Sequence, residues 1–334
     1  MSRLNTVLIV CSLLAPCAAS AQTSAQTAAQ SSPANWPTRP VTLIIPYAPG
    51  SNTEFEPRLY ASKLTEISGK QFLLDFKPGG GTLLAAQYAA KAPGDGHTLM
   101  VITATFPLLP LMFRDAGFDP IKSFTAVSQM SKRSTLFVIS NSLPASNVRE
   151  YIAYARANPG KVNFATTGTG GTQHLHAVWM HSLMGIETTY IPYKGVGVIL
   201  PDMVAGRVDV GIVSIAAAMG MVKTGKLRVL GYGGKERVTA MPDVPTIAEQ
   251  GVPEFEYLSW LGVVAPAATP ASLVSRISAD LAKAARSPDV VERLAKEANT
   301  VVASTPQEFQ RQINSEVERW RALVHKTGFK FEDG

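Results

Sequence analysis

Between Val41 and Arg58 the chain reads VTLIIPYAPGSNTEFEPR, and this stretch admits few backbones. Val41 to Ile45 is rich in β-branched residues and carries no charge, the pattern of a buried strand. Pro46 has no N–H to donate and ends the ladder. Pro49 and Gly50 turn the chain, and Ser51, Asn52 or Thr53 is placed to cap a following helix. A helix N-terminus at the carboxyl end of a parallel strand carries unpaired N–H groups and partial positive charge. Open α/β sheets bind anions and small polar ligands there. The alternative is an ordinary strand-to-helix turn, and the rest of the chain decides between them.

The same alternation recurs. A helix over about Glu54 to Ile67 stops at Gly69, and Pro57 is tolerated in its first turn. Gln71 to Phe76 and His97 to Thr103 read as further strands, with a helix over Leu83 to Lys91 between them. Pro78-Gly79-Gly80-Gly81-Thr82 is a second glycine-rich loop, and Thr103-Ala104-Thr105 is a polar strand exit. Strands alternating with short helices predict a parallel α/β sheet. After strands at Phe124 to Ser128 and Leu136 to Ser140, the segment Asn141 to Pro144 reads as a boundary and the pattern restarts. The helix over Asn147 to Ala157 takes Ser146 as its cap. Strands near Val162, Thr188, Val208 and Leu227 alternate with helices starting near Gln173, Val198 and Ala217. An apolar strand, Tyr257 to Pro266, leaves this second unit. Helices over Ala271 to Ala285 and Pro306 to Lys326 end the chain, with Asp289 to Ala298 between them. Two α/β units joined by crossings near Ser140 and Leu258 enclose a cleft. The expected organisation is one lobe over 36–140 and 258–334 and a second over 141–257.

The first 21 residues stand outside this fold. Arg3 supplies a basic n-region, Val7 to Leu14 an apolar h-region, and Ala19-Ser20-Ala21 a small-residue cleavage site. The apolar run is too short to span a bilayer. Secretion with cleavage after Ala21 is the expectation, followed by a Gln/Ser/Ala/Thr-rich disordered leader over 22–35. Both cysteines, Cys11 and Cys17, fall inside the signal. The exported chain therefore has no disulfide, thiol chemistry or cysteine metal site. A net charge of +6 without a Lys/Arg cluster argues against nucleic acid.

The strongest chemical candidate is Thr166-Thr167-Gly168-Thr169-Gly170-Gly171-Thr172. Consecutive small residues before a helix can aim several N–H groups at one anion, and the hydroxyls add donors. No Gly-Lys-Ser/Thr follows, so it is not a phosphate P-loop, and its third glycine is misplaced for a dinucleotide fingerprint. The plain alternative is a flexible loop, but the loop from Pro46 to Thr53 in the other unit pairs with it. Metal ligation finds no support. His174 and His176 are two apart, so on a helix they face different ways, and surface or satisfied histidines are the default. His174, in the first turn after the loop, keeps a minor claim. No Gly-x-Ser-x-Gly elbow exists, and Glu54 and Glu56 are accounted for by the helix dipole. Glu54 could still face the cleft. No catalysis and no cofactor are expected.

An ordered set of segments then points further. Arg39 through Gly50, Lys77-Pro78-Gly79, Pro93-Gly94-Asp95-Gly96, Ile191-Pro192-Tyr193-Lys194-Gly195, Gly225-Lys226-Leu227-Arg228 and Pro242 to Glu249 resemble the Bug family in the same order along nearly the whole chain. These are periplasmic solute receptors of tripartite tricarboxylate transporters. The resemblance implies a monomeric two-lobed periplasmic binding protein of type II-like form, with two crossover strands. It would close on a carboxylate and serve membrane permease subunits. Sensing for a membrane sensor kinase is an alternative, and a periplasmic enzyme ranks third. The resemblance places ligand contacts at Tyr47, Pro49, Ser51, Asn52, Thr53 and Glu54, and at Thr103 and Thr105. In the other lobe it places them at Thr167, Gly168, Thr169, Gly170 and Thr172, and His174, just after that loop, and Ser214, at the second-lobe strand exit, are further candidates. Members commonly carry an acid after the second-lobe strand, where Ile212 to Ala216 has none. That leans towards an organic acid, aromatic or dicarboxylic, over an amino acid. No arginine lies in these loops and Lys194 is the one nearby lysine, so neutral donors are expected to hold the charge.

Overall fold

The computed structural model describes residues 35–49, 54–113, 115–167, 172–193, 195–238 and 241–328. The chain first forms β1 (Val41–Ile45), α1 (Phe55–Ser68), β2 (Phe72–Phe76), α2 (Leu83–Ala90), β3 (Thr98–Thr103), the short α3 (Leu109–Met112) and β4 (Phe124–Arg133). It continues through β5 (Thr135–Ser140), α4 (Val148–Ala157), β6 (Asn163–Thr166), α5 (Thr172–Met184), β7 (Thr189–Pro192), α6 (Val196–Val204), β8 (Val210–Ser214), α7 (Ile215–Lys223) and β9 (Leu227–Tyr232). The last elements are β10 (Ser259–Pro266), α8 (Ala271–Ala285), α9 (Pro288–Lys296), β11 (Asn299–Val301) and α10 (Pro306–Thr327). The turns at Phe106 to Met112 and the strand β11 are absent from the sequence reading, each being too short for periodicity to register.

Capping sets several helix starts. Asn147 rather than Ser146 caps α4, its side chain accepting from Glu150 N at 2.9 Å. Ser214 caps α7 through Ala217 N at 3.3 Å. Thr305 and Glu308 form a capping box on α10, with Pro306 in the first turn. Glu54 holds the cap position of α1 without a side-chain cap bond.

The strands form two sheets of α/β type. One has six strands in the order β11-β4-β10-β3-β1-β2, the other five in the order β7-β6-β8-β5-β9. Neither is the all-parallel sheet expected. β1 runs parallel to β2 and β3, but β10 runs antiparallel to β3 and β4. In the second sheet β6 is parallel to β7 and β8, while β5 is antiparallel to β8 and β9. β10 and β5 adjoin the crossings, where the chain enters a sheet from its partner and runs against the βαβ units; β11, between α9 and α10, is antiparallel to β4.

The first crossing falls at Ser134, earlier than the expected Ser140. Thr135–Ser140 is buried throughout and lies between β8 and β9. A short apolar run without a turn signal does not reveal which sheet it joins. Helices cover both faces of the six-stranded sheet. Val41, Leu43 and Ile45 pack with Leu273, Ile277 and Leu281 of α8 on one face. Ile44, Met100 and Ile102 pack with Phe309, Ile313 and Val317 of α10 on the other.

Candidate ligand site

Parallel pairing in register, Thr42 with Thr98 through Ile44 with Met100, brings the carboxyl ends of β1 and β3 side by side. Tyr47, just past β1, reaches the Thr103 hydroxyl at 2.7 Å. Thr105, two residues further on, lines the same cavity as Tyr47. Burial pushes the Tyr47 pKa up, so the phenol stays a neutral donor at physiological pH. Thr105 Oγ1 meets Thr172 Oγ1 at 2.6 Å. That bond joins the exit of β3 to the first residue of α5, which belongs to the half built on the other sheet. Each hydroxyl offers one proton and two lone pairs, so the pairs Thr103–Tyr47 and Thr105–Thr172 retain capacity for a ligand.

A cavity of roughly 380 Å3 opens at this point, lined among others by Tyr47, Pro78, Gly79, Thr82, Thr105 and Thr167. The loop after β2 is thus part of the wall. Its glycines Gly79, Gly80 and Gly81 and the non-glycine Thr82 all take positive φ, Thr82 at 90°. The signal was in the sequence: a glycine run after a strand parallel to β1 must emerge at the same sheet edge. The Thr167 side is held by Gln173, a residue the sequence reading passed over. Its Oε1 accepts from Thr167 N at 2.7 Å, and its Nε2 donates to Ile212 O. One amide therefore ties the exit of β6 and the start of α5 to β8.

The structure brings together Tyr47, Thr103, Thr105, Thr167 and Thr172. It gives others local partners: Glu54 Oε1 accepts from Arg58 Nε at 3.0 Å, and Ser214 serves as the α7 cap. His174 is buried with its ring 4.6 Å from that of Tyr190, and burial holds its pKa down. Pro49 is exposed. Ser51, Asn52, Thr53, Gly168, Thr169, Gly170 and Lys194 lie outside the described residues.

The other candidate chemistry resolves into structure. Glu56 is 0% exposed and is more than a dipole partner. Its Oε1 accepts from Arg133 Nε at 2.9 Å and Asn299 Nδ2 at 2.7 Å, and Ser131 donates to Oε2. Arg133 is the cation felt by Tyr47, yet its guanidinium is committed to Glu56. His176 and His181 are buried and bonded, His176 Nδ1 to Thr172 O at 2.7 Å and His181 Nε2 to Tyr151 Oη at 3.0 Å. Burial holds both pKa values down to about 3. Among the described residues no group of three or more His, Cys, Asp or Glu is placed to hold a metal ion.

Against this geometry stand the comparisons with known proteins. The family described as tripartite tricarboxylate transporter family receptor matches residues 57–329. The chain belongs to this family. BugT of Bordetella pertussis is 30% identical over 300 residues, covering 89% of this chain and 92% of that protein. The solved structure of R. palustris Rpa4515 with adipate is 33% identical with a TM-score of 0.74, covering 88% of this chain and 98% of its own. MatC from Rhodopseudomonas palustris with bound malate is 28% identical with a TM-score of 0.71, covering 86% and 99%. The Bug resemblance carried by the ordered motifs agrees with this family.

Proposed function

We propose that the chain is a periplasmic receptor that captures a small organic acid in the cavity beside Tyr47 and delivers it to the membrane permease of a tripartite tricarboxylate transporter. The observation that carries this reading is a pair of hydroxyl contacts, Tyr47 with Thr103 and Thr105 with Thr172, the second of which joins the halves built on the two sheets. Neutral donors suit a carboxylate that must later be released, because each bond to a charged acceptor contributes only about 1.5–3 kcal/mol. Arg133, the partly buried cation felt by Tyr47, is already paired. Relatives at 33% and 28% identity hold adipate and malate, which supports a carboxylate here as well. The residues around Ser214 contain no acid to receive an amino group, which favours an organic acid over an amino acid. The same reading makes the chain a carrier that leaves its ligand unchanged, and makes its first 21 residues the export signal.

The halves built on the two sheets would act as lobes hinged at Ser134 and near Leu258. Ligand contacts made from both sides favour the closed form. Isothermal titration of the exported chain with adipate, malate, benzoate and glutamate tests the proposal. Saturable binding of at least one non-amino acid, recovered unchanged afterwards, is the expected result. Binding confined to glutamate, or turnover of the bound acid, would overturn it.

A further inference from the structure

A second cavity, of roughly 440 Å3, lies against α10. Among the described residues it shares no lining residue with the cavity at Tyr47. Adjacent residues of the β3 exit face the two: Thr105 lines one and Ala104 the other.

Three polar atoms in its wall are buried without a hydrogen-bond partner: Gln129 Nε2, Glu316 Oε2 and Arg319 Nε. Gln129 is 3% exposed and Glu316 6%. A buried donor or acceptor left unpaired costs about 1–3 kcal/mol, so three around one cavity call for an occupant. The rest of the wall says which kind. Lys132 and Arg311 bring two further cations to the rim beside Arg319. Glu316 Oε1 accepts from Trp260 Nε1 at 2.9 Å and Gln312 Nε2 at 3.2 Å, and burial pushes its pKa up. Arg319 lies over the rings of Trp179 and Trp320, at 4.8 and 5.2 Å, which fixes its guanidinium. Trp260, Leu258 and Ala104 supply an apolar side.

We propose that this cavity is a second ligand site, taking a small monocarboxylate with an apolar body. Gln129, Lys132 and Arg319 meet its carboxylate, and the body lies along Trp260. Two acids in the wall, Glu256 and Glu316, oppose a dianion such as phosphate. Because the wall draws Gln129, Lys132 and Trp260 from the six-stranded half and His176 from α5, an occupant touches both halves at once. This site is independent of the ligand in the cavity at Tyr47.

The test uses 4-bromobenzoate and the full exported chain. A crystal grown with it should show anomalous scattering from bromine between Trp260 and α10. In calorimetry, the double substitution Lys132→Met and Arg319→Met should weaken 4-bromobenzoate binding by at least tenfold, while inorganic phosphate should give no saturable heat in the unsubstituted chain. Bromine found only beside Tyr47, bromine found nowhere, or phosphate taking the place instead would each overturn the proposal. The crystal does not depend on how well the variant folds.

Discussion

The Tyr47 hydroxyl has no charge to lose at physiological pH and the Thr103 hydroxyl to orient it. Tyr47→Phe keeps the ring and removes one donor to the ligand. Affinity for a bound dicarboxylate should fall about tenfold or more, following the roughly 1.5–3 kcal/mol of a bond to a charged acceptor. Titration calorimetry reads this directly, and unchanged affinity would remove Tyr47 from the site. Glu56 acts at the same scale on stability. Glu56→Gln removes the charge that pairs with Arg133 and leaves the guanidinium short of a partner. Because Arg133 keeps some solvent contact, the cost belongs near the low end of the range for broken buried pairs, about 3 kcal/mol. Urea unfolding should show it as a lower midpoint with an unchanged slope.

Two elements carry features that no single residue explains. Helix α5 buries His176 and His181 as neutral rings, with folded pKa values near 3. In the unfolded chain each titrates near 6.5, so below that pH the unfolded state binds more protons. Their contribution is complete above about pH 6.5 and is lost progressively towards pH 3, at ~1.4 kcal/mol per pH unit for each ring. His176→Phe keeps the ring between Tyr257 and Trp320. It should flatten the fall in unfolding free energy between pH 6.5 and 5 by about one histidine's share; an identical pH profile would mean that His176 is protonated in the fold. The second feature is the pair of crossings. Thr135 Oγ1 donates to Tyr257 O at 2.6 Å, and Gly233 bonds to both segments through its backbone. A Cβ at Gly233 would lie 2.3 Å from Thr135 Oγ1 and 2.6 Å from Tyr257 O. Gly233→Ala should therefore lower stability by ~1–3 kcal/mol through overpacking, seen as a fall in melting temperature, whereas an alanine on an exposed loop would show none.

For the whole molecule, the proposed function calls for movement between the halves built on the two sheets. The connections available for it are narrow, one at Ser134 and one ending near Leu258. The halves also meet where His176 stacks on Tyr257 at 3.9 Å and meets Trp320 of α10 edge-on at 4.5 Å. Small-angle scattering with a saturating, proven ligand should report a smaller radius of gyration than without it. An unchanged radius would mean that ligand binds to a preformed closed state.

Most elements could be read from local chemistry. Val41–Ile45, Leu227–Tyr232 and Ala271–Ala285 fall where apolar periodicity and flanking Gly and Pro place them. The two-unit plan and the family were legible as well, because both depend on the order of segments along the chain. The site was legible only in part. Strand exits rich in Thr and Gly marked the Tyr47 and Thr167 loops, since a parallel sheet puts such exits on one edge. Which hydroxyls meet was decided elsewhere. Tyr47 and Thr103 are 56 residues apart, and Glu56 and Arg133 are 77 apart. Only the choice of β3 as the neighbour of β1, and of β4 as a strand reaching to Arg133, makes them partners. The same holds for β5, whose apolar run fits either sheet until β8 and β9 close around it. Local sequence determines which dihedrals a segment prefers; the pairing of distant strands depends on the burial the whole chain achieves, and that is set by the tertiary structure alone.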